Sequence, residues 1–141
     1  MPRLELSYLS ERELDEARTR RVQRCISRMK ERGGEFYEAY RDSISDALIT
    51  LYQEGFLGLK AFWDAQGKDI SVEAKRVAII HMITWVAQVV WFQRGWLSEE
   101  CEDQGLTFWK LYNWLTAHDM RVYEMAKSEA VKFLKEIHEL A

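Results

Sequence analysis

Apolar residues recur at three- and four-residue intervals along most of this chain, a spacing that predicts helices rather than strands. The stretch around which the rest is organised runs from Val72 to Trp96. Within it, residues 77–92 are apolar on nearly every side. A helix lying on a surface shows a single apolar stripe, so this segment is expected to be a central helix with the remaining chain packed around it. Its apolar run, roughly 16 residues, is short of the ~20 a bilayer crossing needs. It also carries His81 and Gln88, and a core position is expected rather than a membrane one.

The flanking pattern gives the other elements. Residues 1–9 show no periodicity and read as an irregular lead-in. Ser10 is placed as an N-cap, with Glu11 and Glu13 favouring a helix start. The first helix then runs to about Arg32, with Leu14, Val22, Cys25, Ile26 and Met29 on its buried side, and Gly33 and Gly34 end it. A second helix begins near Glu35 and keeps its period through Tyr37, Tyr40, Ile44, Leu48, Leu51, Leu59 and Phe62. Gly55 and Gly58 interrupt it, which predicts a kink or a close helix crossing. Ser71 is expected to cap the central helix after a polar loop, and Gly95 to loosen its end.

An acidic connector follows, with Glu99, Glu100, Glu102 and Asp103 crowded together; it reads as a charged loop or a docking point for a basic neighbour. A short aromatic helix starts near Thr107 and reaches Ala117. Asp119 caps the last helix, which buries Tyr123, Ala126, Ala130, Phe133, Leu134 and Ile137. The acids and lysines between these positions, Glu129 and Glu136 among them, read as a solvated face. The expectation is therefore an all-α, single-domain bundle of about five helices spanning residues 1–141.

Composition supports an ordered core: 48% of residues are hydrophobic, with six tryptophans and one proline. Disorder is not expected away from the ends. Two cysteines, Cys25 and Cys101, are too few for a disulfide framework and lack metal-ligand spacing. With no signal-like apolar run at the start, a reduced, cytoplasmic setting is the default.

The formal net charge is −3, so any polyanion must be met by local clustering. That clustering exists in the first helix. Arg18, Arg20, Arg21, Arg24, Arg28, Lys30 and Arg32 lie close together, opposed there only by Glu31. At ~100° per residue, Arg18, Arg21, Arg28 and Arg32 share one flank beside the apolar stripe, with Arg24 nearby. Arginine suits phosphate because its planar fork donates in pairs. The candidate RNA-contacting set is Arg18, Arg21, Arg24, Arg28 and Arg32, with Arg41, Lys75 and Arg76 as additions. An acidic protein partner would use the same strip, so a helical docking module, adaptor or inhibitor, is the alternative.

No reactive constellation emerges. His81 reads as a satisfied core histidine, and His118 and His138 fall in a joint and a tail. No histidine pair has metal spacing, and Gly55-Phe-Leu-Gly58 lacks the lysine of a phosphate loop. No catalytic residue, metal or cofactor is expected.

Three stretches carry a family resemblance. They are Glu38-Ala-Tyr-Arg-Asp-Ser43 after the basic helix, the run from Ala47 through Leu57-Gly-Leu-Lys-Ala-Phe62 to Gly67, and the closing Leu111-Tyr-Asn-Trp-Leu-Thr116, Asp119-Met-Arg-Val-Tyr123, Ser128-Glu-Ala130 and Phe133-Leu134. Together they resemble the small helical subunit of the type III-B CRISPR effector, the Cmr complex. The resemblance implies a subunit without an active site, stacked in copies beside other effector subunits. It would line the groove that holds guide RNA and target RNA, touching the sugar-phosphate chain without reading bases, with cleavage left to other subunits.

Overall fold

Helix α4 (Ile70–Val90) is the axis of the fold, a computed structural model that describes residues 10–90, 100–103 and 105–141 together with the backbone of 4–5 and 96–97. Every residue from 81 to 90 is buried. Such burial is worth roughly 1.5–3 kcal/mol for each large aliphatic or aromatic side chain, which is why an all-round apolar segment settles at the centre. Among the described residues there are six helices, and the architecture is an all-α bundle.

Helix α1 (Glu11–Glu31) opens on Ser10, whose hydroxyl accepts from the Glu13 amide while Glu13 reaches back to the Ser10 amide. Ser10 is thus the N-cap that was expected, and Glu13 completes a capping box with it. The chain turns at Gly33, whose φ of 106° suits glycine. Gly34 is already the first residue of α2 (Gly34–Gly58), so one glycine ends α1 and the other does not. Inside α2, Gly55 has φ 72° and ψ −163°. This breaks the helical path and lets Phe56 meet Tyr123 edge-on, with ring centroids 5.5 Å apart. The kink expected at these glycines is thus found at Gly55, while the periodic stretch beyond Gly58 forms a separate α3 (Lys60–Asp64) instead of continuing α2.

Helix α4 starts one residue ahead of Ser71. The carbonyl of Asp69 accepts from Val72 and Glu73, so Ser71 lies inside the helix and is not its cap. Trp96 belongs to β2 (Trp96–Leu97), which pairs antiparallel with β1 (Leu4–Glu5). The central helix therefore stops short of Trp96. The expected loosening at Gly95 lies outside the described residues, as does the rest of the lead-in. Thr107 and Asp119 cap α5 (Phe108–Thr116) and α6 (Met120–Leu140) as expected. Helices α2, α4 and α6 pack mutually, and α1 closes over α2 and α6. No described helix is long and apolar enough to cross a membrane.

Candidate nucleic-acid interface

The arginines of α1 divide into a buried group and an open one. Arg18 is 3% exposed and Arg21 4%. The physical reason is their place on the wheel. Arg18, Val22, Cys25 and Met29 stand four, three and four residues apart, on the side that faces the bundle. Arg18 donates to Asp15 from the preceding turn, its Nη1 lying 2.7 Å from Oδ1. Across the interface its Nε lies 3.6 Å from Glu129 and 3.9 Å from Glu136, both on α6. Glu129 itself is 5% exposed and accepts from the Trp85 indole at 3.0 Å.

Arg21 turns to α4. Its Nη2 donates to Gln88 Oε1 at 2.7 Å, and its guanidinium carbon lies 5.5 Å from the centre of the Trp85 ring. Burial pushes the Arg21 pKa down, though a guanidinium stays protonated under any ordinary condition. Arg18 and Arg21 are thus corrected from the expected outward strip: they form an internal seam between α1, α4 and α6. Glu129, expected on a solvated face, is its buried counter-charge.

The remaining candidates reach solvent to different degrees. Arg28, Arg32, Arg41 and Arg76 are exposed, and Arg24 and Lys75 are half-buried. Arg32 packs over the Phe36 ring at 3.7 Å and pairs with Glu73 of α4. That pair joins the end of α1 to the start of α4, one turn before Arg76. Arg76 stands 5.2 Å from the centre of the Trp63 ring, and Lys75 5.9 Å from that of Phe62. Arg41 lies apart, 5.9 Å from the Tyr37 ring and in a cleft of about 250 Å³ that it shares with Glu38 and Asp42. The open cations thus centre on Arg28, Arg32 and Arg76, with Arg24 and Lys75 beside them in sequence. Arg20 and Lys30 are also exposed and lay outside the candidate set.

The acidic connector is not a free loop. Cys101 is fully buried, the Asp103 amide donates to Thr84 Oγ1 at 3.1 Å, and Glu102 accepts from His81 Nε2 at 3.3 Å. On the other side of the ring, Tyr40 Oη and His81 Nδ1 are 2.8 Å apart. One proton arrangement satisfies both contacts. The tyrosine O–H donates to Nδ1, and Nε2–H donates to the carboxylate. His81 is a satisfied core histidine, as expected. Desolvation holds its pKa below 6.5, while the bond from His81 holds Glu102 below 4.5. The nearby charge of Arg32 and Arg28 acts on Glu102 in the same direction.

These two shifts fix a pH dependence. Below pH 6.5 the unfolded chain takes up a proton at His81 that the folded chain refuses, so stability falls as pH drops towards the folded value. Glu102 adds stability that is present above pH 4.5 and lost as pH falls through its own folded value. Both act in the same direction, and each proton of difference costs about 1.4 kcal/mol per pH unit. Urea midpoints at a series of pH values are expected to decline steadily from neutral towards pH 5. His81→Gln is expected to flatten the upper part of that decline. A wild-type midpoint unchanged between pH 7 and pH 5 would contradict the buried neutral imidazole.

Among the described residues no group of three or more His, Cys, Asp or Glu side chains could hold a metal ion. The fold and the cationic edge define a class: an all-α bundle with one arginine seam sealed inside and a second, open set of cations at the α1–α4 end. Comparisons with protein-family models, curated proteins and solved structures find no match for this chain.

Proposed function

We propose that this chain is a non-catalytic subunit of a type III CRISPR ribonucleoprotein effector, lying along guide and target RNA and touching their phosphates without reading bases. Its partners in this reading are the two RNAs, the other effector subunits and further copies of itself. The resemblance at residues 38–67 and 111–134 supports the family. The observation that carries the RNA contact is the open set Arg28, Arg32 and Arg76, with Arg24 and Lys75 as lesser contributors. Arg18 and Arg21 are withdrawn from the contact set because the fold already uses them.

Neutralisation by Glu73 does not remove Arg32 from the set. The Arg32–Glu73 pair is exposed on both sides, 36% and 55%, and such pairs are worth only about 0–1 kcal/mol. A phosphate can displace that carboxylate at little cost, and a guanidinium gives it a forked pair of donors. The same pair favours the second reading, a docking module for an acidic protein, because it shows this edge receiving a carboxylate.

The test is binding of a mixed-sequence single-stranded RNA at low salt, followed by fluorescence anisotropy, for the wild type and for Arg28→Glu combined with Arg76→Glu. The expected result is an affinity that falls linearly with salt on a log–log plot and is insensitive to sequence. The double variant should lose at least about tenfold, since each lost phosphate contact lowers the salt slope by roughly 0.7. Absence of RNA affinity, both for the chain alone and within an assembled effector, overturns the proposal. Affinity for a polyglutamate chain without affinity for RNA selects the docking module.

A further inference from the structure

Helix α3 carries Ala61, Phe62 and Trp63 in a row, yet none of its residues is buried. The two rings rest on the core and stay half in solvent. A tryptophan is among the largest apolar surfaces a side chain can bury, so a half-covered indole keeps stacking area to offer. Cations stand beside both rings. Where α3 packs on α4, two successive residues meet two successive residues: Lys75 Nζ lies 5.9 Å from the centre of the Phe62 ring, and the Arg76 guanidinium carbon 5.2 Å from that of Trp63. Among the described residues, neither Lys75 nor Arg76 has a carboxylate partner, and the Trp63 indole N–H has no acceptor.

We propose that Trp63 is a stacking platform for one unpaired base of RNA, with Arg76 and Lys75 holding the neighbouring phosphates. The inference rests on the RNA reading above and adds to it the class of strand: single-stranded at this point, not paired. Its place on the surface fits that reading. Glu73, which meets Arg32 from α1, lies one turn before Arg76 on α4. A strand following the open cations from Arg32 to Arg76 thus arrives at the Trp63 ring.

A ligand suited to these residues carries negative charge and flat rings on the same chain. An acidic protein segment supplies the charge without regular rings. A duplex supplies phosphates, but its bases are already stacked on one another. An unpaired strand supplies both, which is why aromatic side chains among cations serve single-stranded nucleic acid. The Arg76–Trp63 couple leaves space for a base. Its 5.2 Å separation is longer than the ~3.5–4.0 Å of close atomic contact. Arg76 is exposed and held by no carboxylate, so it can turn to a phosphate as the base settles on the indole. The Arg32–Phe36 couple is the contrast: it is closed to 3.7 Å on a ring that is 3% exposed, and it has no face to give. Every base has a π face, so stacking keeps the contact indifferent to sequence.

Fluorescence anisotropy at low salt provides the test, with three probes of equal length: a mixed-sequence single-stranded RNA, a duplex of the same sequence, and a strand of abasic units. The full chain is expected to bind the single-stranded RNA about tenfold more tightly than the abasic strand. Trp63→Leu should lose about that factor on the single-stranded RNA and stay within about twofold of wild type on the other two probes. Trp63→Phe, which keeps a ring, should retain most of the affinity, and Arg76→Glu should weaken all three. The comparison of the two single strands needs no variant, so it decides the matter even if Trp63→Leu fails to fold. Equal wild-type affinity for the RNA and the abasic strand overturns the platform while the phosphate contact stands. An equal loss on all three probes in Trp63→Leu does the same, because the ring would then act only through the fold. Binding of neither strand, alone or within an assembled effector, overturns the phosphate contact and the platform together.

Discussion

Glu129→Ala is expected to destabilise the fold by about 3–5 kcal/mol, the cost of removing the buried member of a charged cluster and leaving Arg18 only partly compensated. The carboxylate stands between α1 and α4: it lies 3.6 Å from Arg18 Nε and accepts from the Trp85 indole at 3.0 Å. Removing it leaves Arg18 with Glu136 at 3.9 Å and with Asp15, which is half in solvent. Against a total stability of about 5–15 kcal/mol, that loss brings the chain near its unfolding limit at room temperature. Glu129→Gln keeps an acceptor for the indole and should cost less. Replacing both sides with apolar residues, Arg18→Met with Glu129→Leu, should recover much of the loss, because it removes the desolvation cost along with the attraction. Urea unfolding of the four proteins checks the ordering. A Glu129→Ala protein within about 0.5 kcal/mol of wild type would mean that Arg18 finds other compensation.

The helices were legible in the sequence because capping chemistry is local. Ser10 with Glu13, Thr107 and Asp119 mark three helix starts through hydrogen bonds to residues two or three ahead. The central position of α4 followed from its composition, since a segment without a polar face has nowhere to go but inside. The glycines of the second helix announced a kink or a close crossing, and the kink is at Gly55; spacing alone did not show that the helix starts afresh as α3 at Lys60. That Gly55 takes a positive φ is decided by the packing of Phe56 on Tyr123, which lies far along the chain.

The candidate interface was half legible. Charge density in α1 was evident, but counting arginines does not say which way they point. A closer reading of spacing holds the signal. Arg18 is in line with Val22, Cys25 and Met29, and Glu129 and Glu136 flank Phe133 by four and three residues on the apolar side of α6. Opposite charges embedded in two core-facing stripes are the mark of an internal pair. Nothing local links the two helices, so the match appears only when both stripes are read together. The docking of the connector was likewise hidden, because the contacts of Glu102 and Asp103 are made to residues about twenty positions earlier.

Trp85→Ala is the second large effect, expected at about 3–5 kcal/mol from the cavity alone. Trp85 is 1% exposed and stacks on Phe133 with ring centroids 6.3 Å apart and planes within 14°. The indole also serves both buried arginines: its N–H satisfies Glu129, the partner of Arg18, and its ring lies beside the guanidinium of Arg21. Trp85→Phe should retain the stack and lose only the indole donor, at about 1–3 kcal/mol. Thermal unfolding is expected to rank wild type above Trp85→Phe and Trp85→Ala lowest. Equal losses in the two variants would show that the donor, not the ring, holds the seam. The contrast with the open cations separates folding from binding. Trp85→Phe should lower stability while leaving RNA affinity of the folded protein unchanged, whereas Arg28→Glu with Arg76→Glu should do the reverse. If Trp85→Phe weakened RNA binding as much as the double charge reversal, the inner and outer arginines would act as one surface, against the division their burial implies.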